Sequence, residues 1–317
     1  MTRKPQGREL HITRFYDAPV GAVWDAWTDP AQVAQWWGPR GFTLTTHGKD
    51  LRPGGFWSYT MHGPDGTDYP NRTIYHEVEE RAKLVYDHGG GDDRPPLFRV
   101  TALFSEVDGR TKLELTMALA TPEAAAEIEQ FIRKAGGNGT WDRLAEYLEK
   151  NASGTEAFVI NRTFEASAEV VFDLWTDPEH LARWLAPQGM TMTFLEADIR
   201  AGGKTSYKMG NELLTMYGRA SYRQVERPRL LVYTQQFCDK DGNVSRHPLA
   251  PTWPETMLTT VTFREIAPDR TLVTVHWEVE GATTPEEMAT FTTNRGNMTG
   301  GWTGSFDQFE AYLAQRA

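Results

Sequence analysis

The strongest constraint on the fold is an internal repeat. Residues 12–43 align without a gap to residues 160–191, and nearly half of the aligned positions are identical. The match continues at the same offset into the segments that follow, so it is not confined to one short motif. A repeat of roughly 150 residues has the size of a whole domain. The sequence therefore predicts two copies of one domain, at residues 8–150 and 156–317, joined by a short polar linker.

Within one copy, the predicted elements are a strand, two short helices, a run of strands and a helical end. Residues 10–16 are β-prone, and the apolar residues from Val20 to Trp27 repeat with a helical period. Asp29 before Pro30 predicts the start of a second short helix. The further strands are predicted at about 72–79, 83–88, 98–107 and 111–119. The order predicts an α+β fold, with an antiparallel sheet wrapped around a long C-terminal helix, present twice.

Alternating residues after the Gly-Gly turn indicate which face of the sheet is inside. In the second copy, Lys204 and Lys208 share one face, and Tyr207 lies on the other. Lysines mark the solvent side, so we expect Tyr207 and its counterpart Tyr59 to be buried. The same argument predicts that His276 is exposed, because it alternates with the apolar residues of its strand.

Composition excludes several classes of function. The net charge is −10, and no basic stripe is interleaved with aromatic residues, so a nucleic-acid partner is not expected. The single cysteine, Cys238, fits a cytoplasmic location. The polar N-terminus does not resemble a signal peptide, and no apolar run is long enough to insert into a membrane.

Several motifs together resemble a known family. They are the A-P-x-x-x-V-W-x-A-W-T-D-P opening (18–30), the W-W-G-P segment (36–39), the R-x-G-G turn (52–55) and the W-D-R-L-A-E-Y-L ending (141–148). The second copy repeats most of them. The chain resembles the activator-of-Hsp90-ATPase-like branch of the superfamily that includes START domains and the birch-pollen allergen.

The resemblance implies the helix-grip fold with an internal cavity. Members bind lipids or polyketides, a few are cyclases, and some lie beside antibiotic pathways. The expected function is binding of a bulky hydrophobic or aromatic small molecule. The alternatives are a cyclase or dehydratase on a polyketide-like substrate, and an interaction protein. The interaction protein would be co-chaperone-like or would sequester an enediyne drug that cleaves the backbone near Gly136, Gly137 or Gly301. The two domains are expected to pack as an intramolecular pseudo-dimer.

The expected ligand contacts are large inward side chains of both copies. Aromatic residues make up 12% of the chain and include 11 tryptophans, which favours a pocket or an unusually aromatic core. For each single residue, plain core packing is the alternative reading. The predicted contacts are Trp57, Tyr59, Met61, Phe104, Met117, Trp141, Tyr207, Met209, Trp277 and Trp302.

No constellation of residues predicts catalysis, a cofactor or a metal. The histidines of the first copy are not repeated in the second and lack ligand spacing, although His76 remains a conceivable general base. Asp29 is explained as a helix cap by the proline after it. Arg14 and Arg162 are expected to pair with buried acids, with a ligand carboxylate as the alternative. An enzymatic role is therefore left open and is not favoured.

Overall fold

The computed structural model describes residues 7–89, 95–134, 139–187 and 189–316. The chain divides into two compact units, Met1–Gly154 (unit 1) and Thr155–Ala317 (unit 2). Each unit contains one seven-stranded antiparallel sheet and several helices, which confirms the predicted α+β class. Within the described residues, no helix has the length and apolar character that crossing a membrane requires.

Unit 1 has the strand order β1-β7-β6-β5-β4-β3-β2. Its elements are β1 (Glu9–Tyr16), α1 (Val20–Thr28), α2 (Pro30–Trp36), β2 (Thr43–Lys49), β3 (Phe56–His62), β4 (Asp68–Glu79), β5 (Lys83–His88), β6 (Phe98–Val107), β7 (Arg110–Ala118), α3 (Pro122–Lys134) and α4 (Gly139–Ser153).

Unit 2 repeats this order as β8-β14-β13-β12-β11-β10-β9. Its elements are β8 (Phe158–Phe164), α5 (Ala168–Thr176), α6 (Pro178–Leu181), β9 (Thr191–Ala197), β10 (Lys204–Gly210), β11 (Thr215–Glu226), β12 (Leu230–Cys238), β13 (Met257–Ala267), β14 (Arg270–Val279), α7 (Pro285–Thr293) and α8 (Arg295–Ala314).

The edge strand β2 is the element that the sequence did not predict. It reads Thr-Leu-Thr-Thr-His-Gly-Lys and alternates only between exposed and half-buried positions. An edge strand pairs on one side alone and needs no large apolar residues, so its sequence carries a weak signal.

The predicted helix cap is present in both units. The Asp29 carboxylate accepts a hydrogen bond of 2.7 Å from the Ala31 amide, and Asp177 accepts one of 2.8 Å from the Glu179 amide. The hydrogen bond from the Ala31 amide is the main reason that the pKa of Asp29 lies below its usual range. A capping role therefore accounts for the repeated aspartate.

A buried tryptophan completes the hydrogen bonding of the first helix in each unit. The carbonyl of Ala26 lacks its normal partner four residues on, because that residue is Pro30 and has no N–H. The Trp36 indole N–H donates to this carbonyl at 2.9 Å. In unit 2, the Trp184 indole donates to the carbonyl of Leu174 at 3.1 Å. The Trp therefore joins the two short helices.

The C-terminal helix of each unit packs into the core and holds the loop after the second helix. On α4, Leu144 is fully buried, and Arg143 donates to the carbonyl of Pro39 at 2.8 Å. On α8, Gln308 donates to the carbonyl of Ala186, and Ser305 donates to that of Leu185 at 2.7 Å. In unit 2 these contacts hold Leu185 and Ala186, and Leu185 lines the site described below.

The arginines of the first strands were expected to pair with buried acids, and unit 2 differs from this expectation. Arg162 on β8 forms an ion pair with Asp307 on α8, but Asp307 is exposed. In unit 1, Arg14 and Asp142 are both buried, and both act on the pKa of Tyr16, which burial raises. The ion pair of unit 2 joins its first strand to its last helix.

The sequence predicted correctly which side chains share a face of each strand, but it predicted the wrong exposure for Tyr207 and His276. Tyr59 is buried, with 1% of its surface exposed, whereas Tyr207 is half-buried because it borders a cavity. His276 was expected to be exposed, and it is half-buried. Its strand is flanked on both sides, so Thr260 and Val159 lie directly opposite and shield it.

We expect Trp36→Phe to loosen α1 and α2. Phe keeps a ring but removes the N–H that the Ala26 carbonyl depends on, which costs about 1–3 kcal/mol of local stability. Amide hydrogen exchange of the full chain, read by mass spectrometry, should speed up across residues 20–36. Trp184→Phe should have the matching effect on α5 and α6. Unchanged exchange in both variants would show that the indole hydrogen bond has no stabilising role.

Candidate functional site

Unit 2 contains a cavity of about 510 Å³. Its walls are the inner face of the sheet from β9 to β14 and one side of α8. Residues 247–255, from the long loop between β12 and β13, also line it. The volume lies within the range of roughly 300–1,000 Å³ that is usual for small-molecule sites.

All four predicted contact residues of unit 2 line this cavity: Tyr207, Met209, Trp277 and Trp302. Trp302 stacks on Trp175 with 6.1 Å between ring centroids and 8° between planes, and it meets Trp277 edge-on at 5.7 Å. The three indoles form an apolar part of the wall, with the Trp277 ring at 72° to the Trp302 ring. Such a wall suits a planar or polycyclic ligand, because stacked and edge-on ring contacts both stabilise aromatic groups.

At the corresponding positions of unit 1, the described side chains pack against one another. Trp57 stacks on Tyr59 at 4.0 Å, and Trp37 meets Trp57 edge-on at 5.4 Å. Trp141 stacks on Trp27 at 5.6 Å. The structure places all six predicted contact residues of unit 1 in or against one hydrophobic core: Trp57, Tyr59, Met61, Phe104, Met117 and Trp141.

The difference follows from two substitutions at equivalent positions. Trp37 and Trp57 of unit 1 correspond to Leu185 and Thr205 of unit 2, and both of these line the cavity. Replacing two indoles by smaller side chains removes the atoms that fill unit 1. The sequence already showed the change at Trp37, but without the strand pairing it did not show that Trp57 belongs to the same cluster.

Two further tyrosines belong to the site and were not predicted. Tyr222 on β11 and Tyr233 on β12 are direct cross-strand neighbours, and both line the cavity. Burial raises the pKa of Tyr207 and of Tyr222 to about 12, and it also raises that of Tyr233. All three hydroxyls therefore stay protonated near neutral pH. The alignment of the two copies could have identified them, because Tyr75 and Tyr86 of the first copy match Tyr222 and Tyr233 of the second.

The cavity wall carries little charge. Among the described residues that line it, Glu255 is the one charged side chain, and it is exposed at the rim. The side-chain amide oxygen Oε1 of Gln235 accepts a hydrogen bond of 3.0 Å from the Thr259 hydroxyl. The nearby Arg219 guanidinium does not line the cavity and donates to the Gln236 side chain at 2.6 Å.

His247 is held as a neutral ring. The Leu249 amide donates to its Nδ1 at 3.0 Å, so the ring proton lies on Nε2. Burial lowers its pKa, which favours the same neutral form. His247 also meets Phe237 edge-on at 4.7 Å. In this tautomer Nε2 is a donor and is not available to take a proton.

The long loop between β12 and β13 is fastened to α7. Arg246 pairs with Glu287 at 2.6 Å, and Thr252 bonds Thr290 at 2.8 Å. Glu287 also completes a capping box with Thr284 at the start of α7. The sequence identified this insertion but predicted no role for it. The structure makes it part of the cavity wall.

Other candidates from the sequence lie away from the cavity. His76 binds Asp87 at 2.8 Å, and Arg99 binds the same carboxylate, which forms a solvent-facing cluster on unit 1. Within the described ranges, no group of three potential ligands could hold a metal ion. Gly136 and Gly137 lie outside the described residues, whereas Gly301 on α8 lines the cavity.

Three solved structures illustrate what the chain is similar to. A protein from Nitrosomonas europaea is 23% identical over 46% of this chain and 96% of its own, with a TM-score of 0.42. One from Mycobacterium smegmatis is 28% identical over 46% and 92%, with a TM-score of 0.40. An AHSA1 protein from Silicibacter pomeroyi is 17% identical over 51% and 99%, with a TM-score of 0.39. A comparison with curated proteins finds no match.

The sequence profile of one family matches the chain twice. The family is described as Activator of Hsp90 ATPase homolog 1-like protein, and the matches cover residues 17–149 and 165–314. These stretches fall one in each structural unit and together span most of the sequence. The chain therefore belongs to the Activator of Hsp90 ATPase homolog 1-like family and carries two of its domains in tandem.

Proposed function

We propose that the chain binds one bulky, apolar small molecule in the cavity of unit 2. The observation that carries the proposal is the cavity of about 510 Å³, lined by the stacked indoles of Trp175 and Trp302 and by Trp277. A flat aromatic or polycyclic compound of the polyketide kind fits this wall better than a flexible chain, because stacking rewards planarity. Burial of its apolar surface is the main driving force.

The polar groups of the cavity favour binding over catalysis. The raised pKa values of Tyr207 and Tyr222 keep these hydroxyls protonated, so they donate hydrogen bonds and do not act as bases near neutral pH. His247 presents an N–H because its other ring nitrogen already accepts from Leu249. These groups suit a site that orients its ligand without removing a proton from it.

Unit 1 serves as a closed copy in this proposal. Its Trp37, Trp57 and Tyr59 contact one another where unit 2 has open volume. A ligand of similar size would have to displace an indole to enter. We therefore expect one site per chain.

We expect Thr205→Trp to weaken ligand binding strongly. The variant copies Trp57 of unit 1 into the equivalent position of unit 2, so the new indole occupies the ligand's space. The dissociation constant of the neutral fluorophore Nile red should rise by roughly tenfold or more, equivalent to at least about 1.4 kcal/mol. Fluorescence titration of the full chain measures it.

Lys208→Trp is the matched control for this test. It adds the same indole to the same strand, but Lys208 is exposed on the outer face. Nile red binding should stay within about twofold of the unchanged protein. Equal loss in both variants, or no loss in Thr205→Trp, would place the binding site elsewhere.

The reverse substitution, Trp57→Thr, should open a cavity in unit 1. Removing a buried indole from a packed core costs about 3–5 kcal/mol. Free indole at millimolar concentration should restore part of this stability, because a dry apolar cavity binds a ligand of the shape it lost. Thermal unfolding of Trp57→Thr with and without indole measures the effect. A variant as stable as the parent protein would contradict the filled-core account.

A further inference from the structure

One tyrosine of the cavity owes its position to a glycine on the neighbouring strand. Tyr207 on β10 lies directly opposite Gly218 on β11. A Cβ atom added to Gly218 would overlap the Tyr207 ring and its hydroxyl. The Tyr207 ring therefore lies over the backbone of residue 218, in a position that a side chain at residue 218 would block.

Unit 1 has no glycine at the equivalent position. Tyr59, the equivalent of Tyr207, lies opposite Asn71, which has a side chain. Tyr59 stacks on Trp57 and is almost completely buried. Its hydroxyl makes no hydrogen bond among the described residues. Burial raises the pKa of Tyr59, and the neighbouring Trp37 side chain offsets part of that rise. The equivalent tyrosine is thus buried in unit 1 and borders the cavity in unit 2.

The Tyr207 hydroxyl is a donor that makes no hydrogen bond within the described part of the chain, and its residue borders the open volume. The indole N–H groups of Trp175 and Trp277 also have no partner among the described residues, but both nitrogens are buried. By contrast, burial raises the pKa of Tyr222 and Tyr233, and a side-chain hydrogen bond offsets part of the rise in each, with Thr205 for Tyr222 and with Thr259 for Tyr233. A hydroxyl that faces a cavity in this way binds water until a ligand acceptor replaces it.

The surroundings of this hydroxyl are unsuited to ions. No lysine or arginine lines the cavity among the described residues, and the one carboxylate, Glu255, lies at the rim. A carboxylate ligand would lose its hydration without gaining a cation, which is strongly unfavourable. A neutral carbonyl, ether or quinone oxygen carries a much smaller desolvation cost.

We propose that the cavity selects an uncharged ligand with a hydrogen-bond acceptor oxygen, and that the Tyr207 hydroxyl, held in place by Gly218, binds that oxygen. The inference rests on the proposed function, since it concerns the same cavity. It names the ligand class as neutral, oxygenated and aromatic. Fatty acids, aromatic acids and amines are excluded from that class.

Three probes of one skeleton test the selection: 1-acetylpyrene, 1-ethylpyrene and 1-pyrenecarboxylate. The first has an acceptor, the second has none, and the third is an anion at pH 7. In fluorescence titrations of the full chain, acetylpyrene should bind roughly 3- to 10-fold more tightly than ethylpyrene, as one neutral hydrogen bond requires. The carboxylate should bind roughly tenfold or more weakly than acetylpyrene.

Tyr207→Phe separates a hydrogen bond from a general packing role. Acetylpyrene should weaken to the level of ethylpyrene, while ethylpyrene binding stays unchanged. Gly218→Ala should weaken both probes, because the displaced ring enters the cavity. Adding Tyr207→Ala to Gly218→Ala should restore ethylpyrene binding, which a misfolded variant would not do.

The outcomes distinguish the two proposals. If no probe binds, or if binding survives in Thr205→Trp, the proposed function itself fails. If the probes bind in the cavity but the carboxylate matches the ketone, or if Tyr207→Phe weakens acetylpyrene and ethylpyrene equally, the selection by Tyr207 is overturned. In that case the binding function still stands.

Discussion

The space between the inner face of each sheet and its C-terminal helix is the constraint on which the rest of the structure depends. Folded proteins leave little empty volume, so this space is filled either by side chains or by a ligand. In unit 1, Trp57 fills it by stacking on Tyr59 and meeting Trp37. In unit 2, Thr205 and Leu185 stand at the equivalent positions and leave a cavity. Among the described residues, one duplicated fold thus gives packed side chains in unit 1 and a cavity in unit 2.

The frame around this space is nearly the same in both units. In each, a proline removes the N–H that would complete the first helix, and a buried indole supplies it, as Trp36 does for Ala26. In each, the last helix donates to carbonyls of the loop after the second helix, through Arg143 in one unit and Gln308 in the other. Because the frame is retained, a change of a few inward side chains alters the interior without altering the fold.

The repeat and the alternation of residues predicted the fold and most strand boundaries, because both are local signals. The edge strand β2 was missed, since an exposed threonine-rich strand has no apolar pattern. Four of the predicted contacts, Trp277 among them, line the cavity. The sequence did not separate an open pocket from a filled one, because that depends on which strands are neighbours. The pairing of Tyr207 with Gly218 is visible only in the sheet register.

Native mass spectrometry of the full chain, titrated with a neutral aromatic ketone such as 1-acetylpyrene, tests the central claim most directly. The account requires one bound molecule per chain at saturation, because unit 1 fills its own space and unit 2 does not. A single mass increment that persists as the ketone is raised would support it. Two increments of similar affinity would show that unit 1 also binds, and the absence of any increment would show that the cavity of unit 2 is not a binding site.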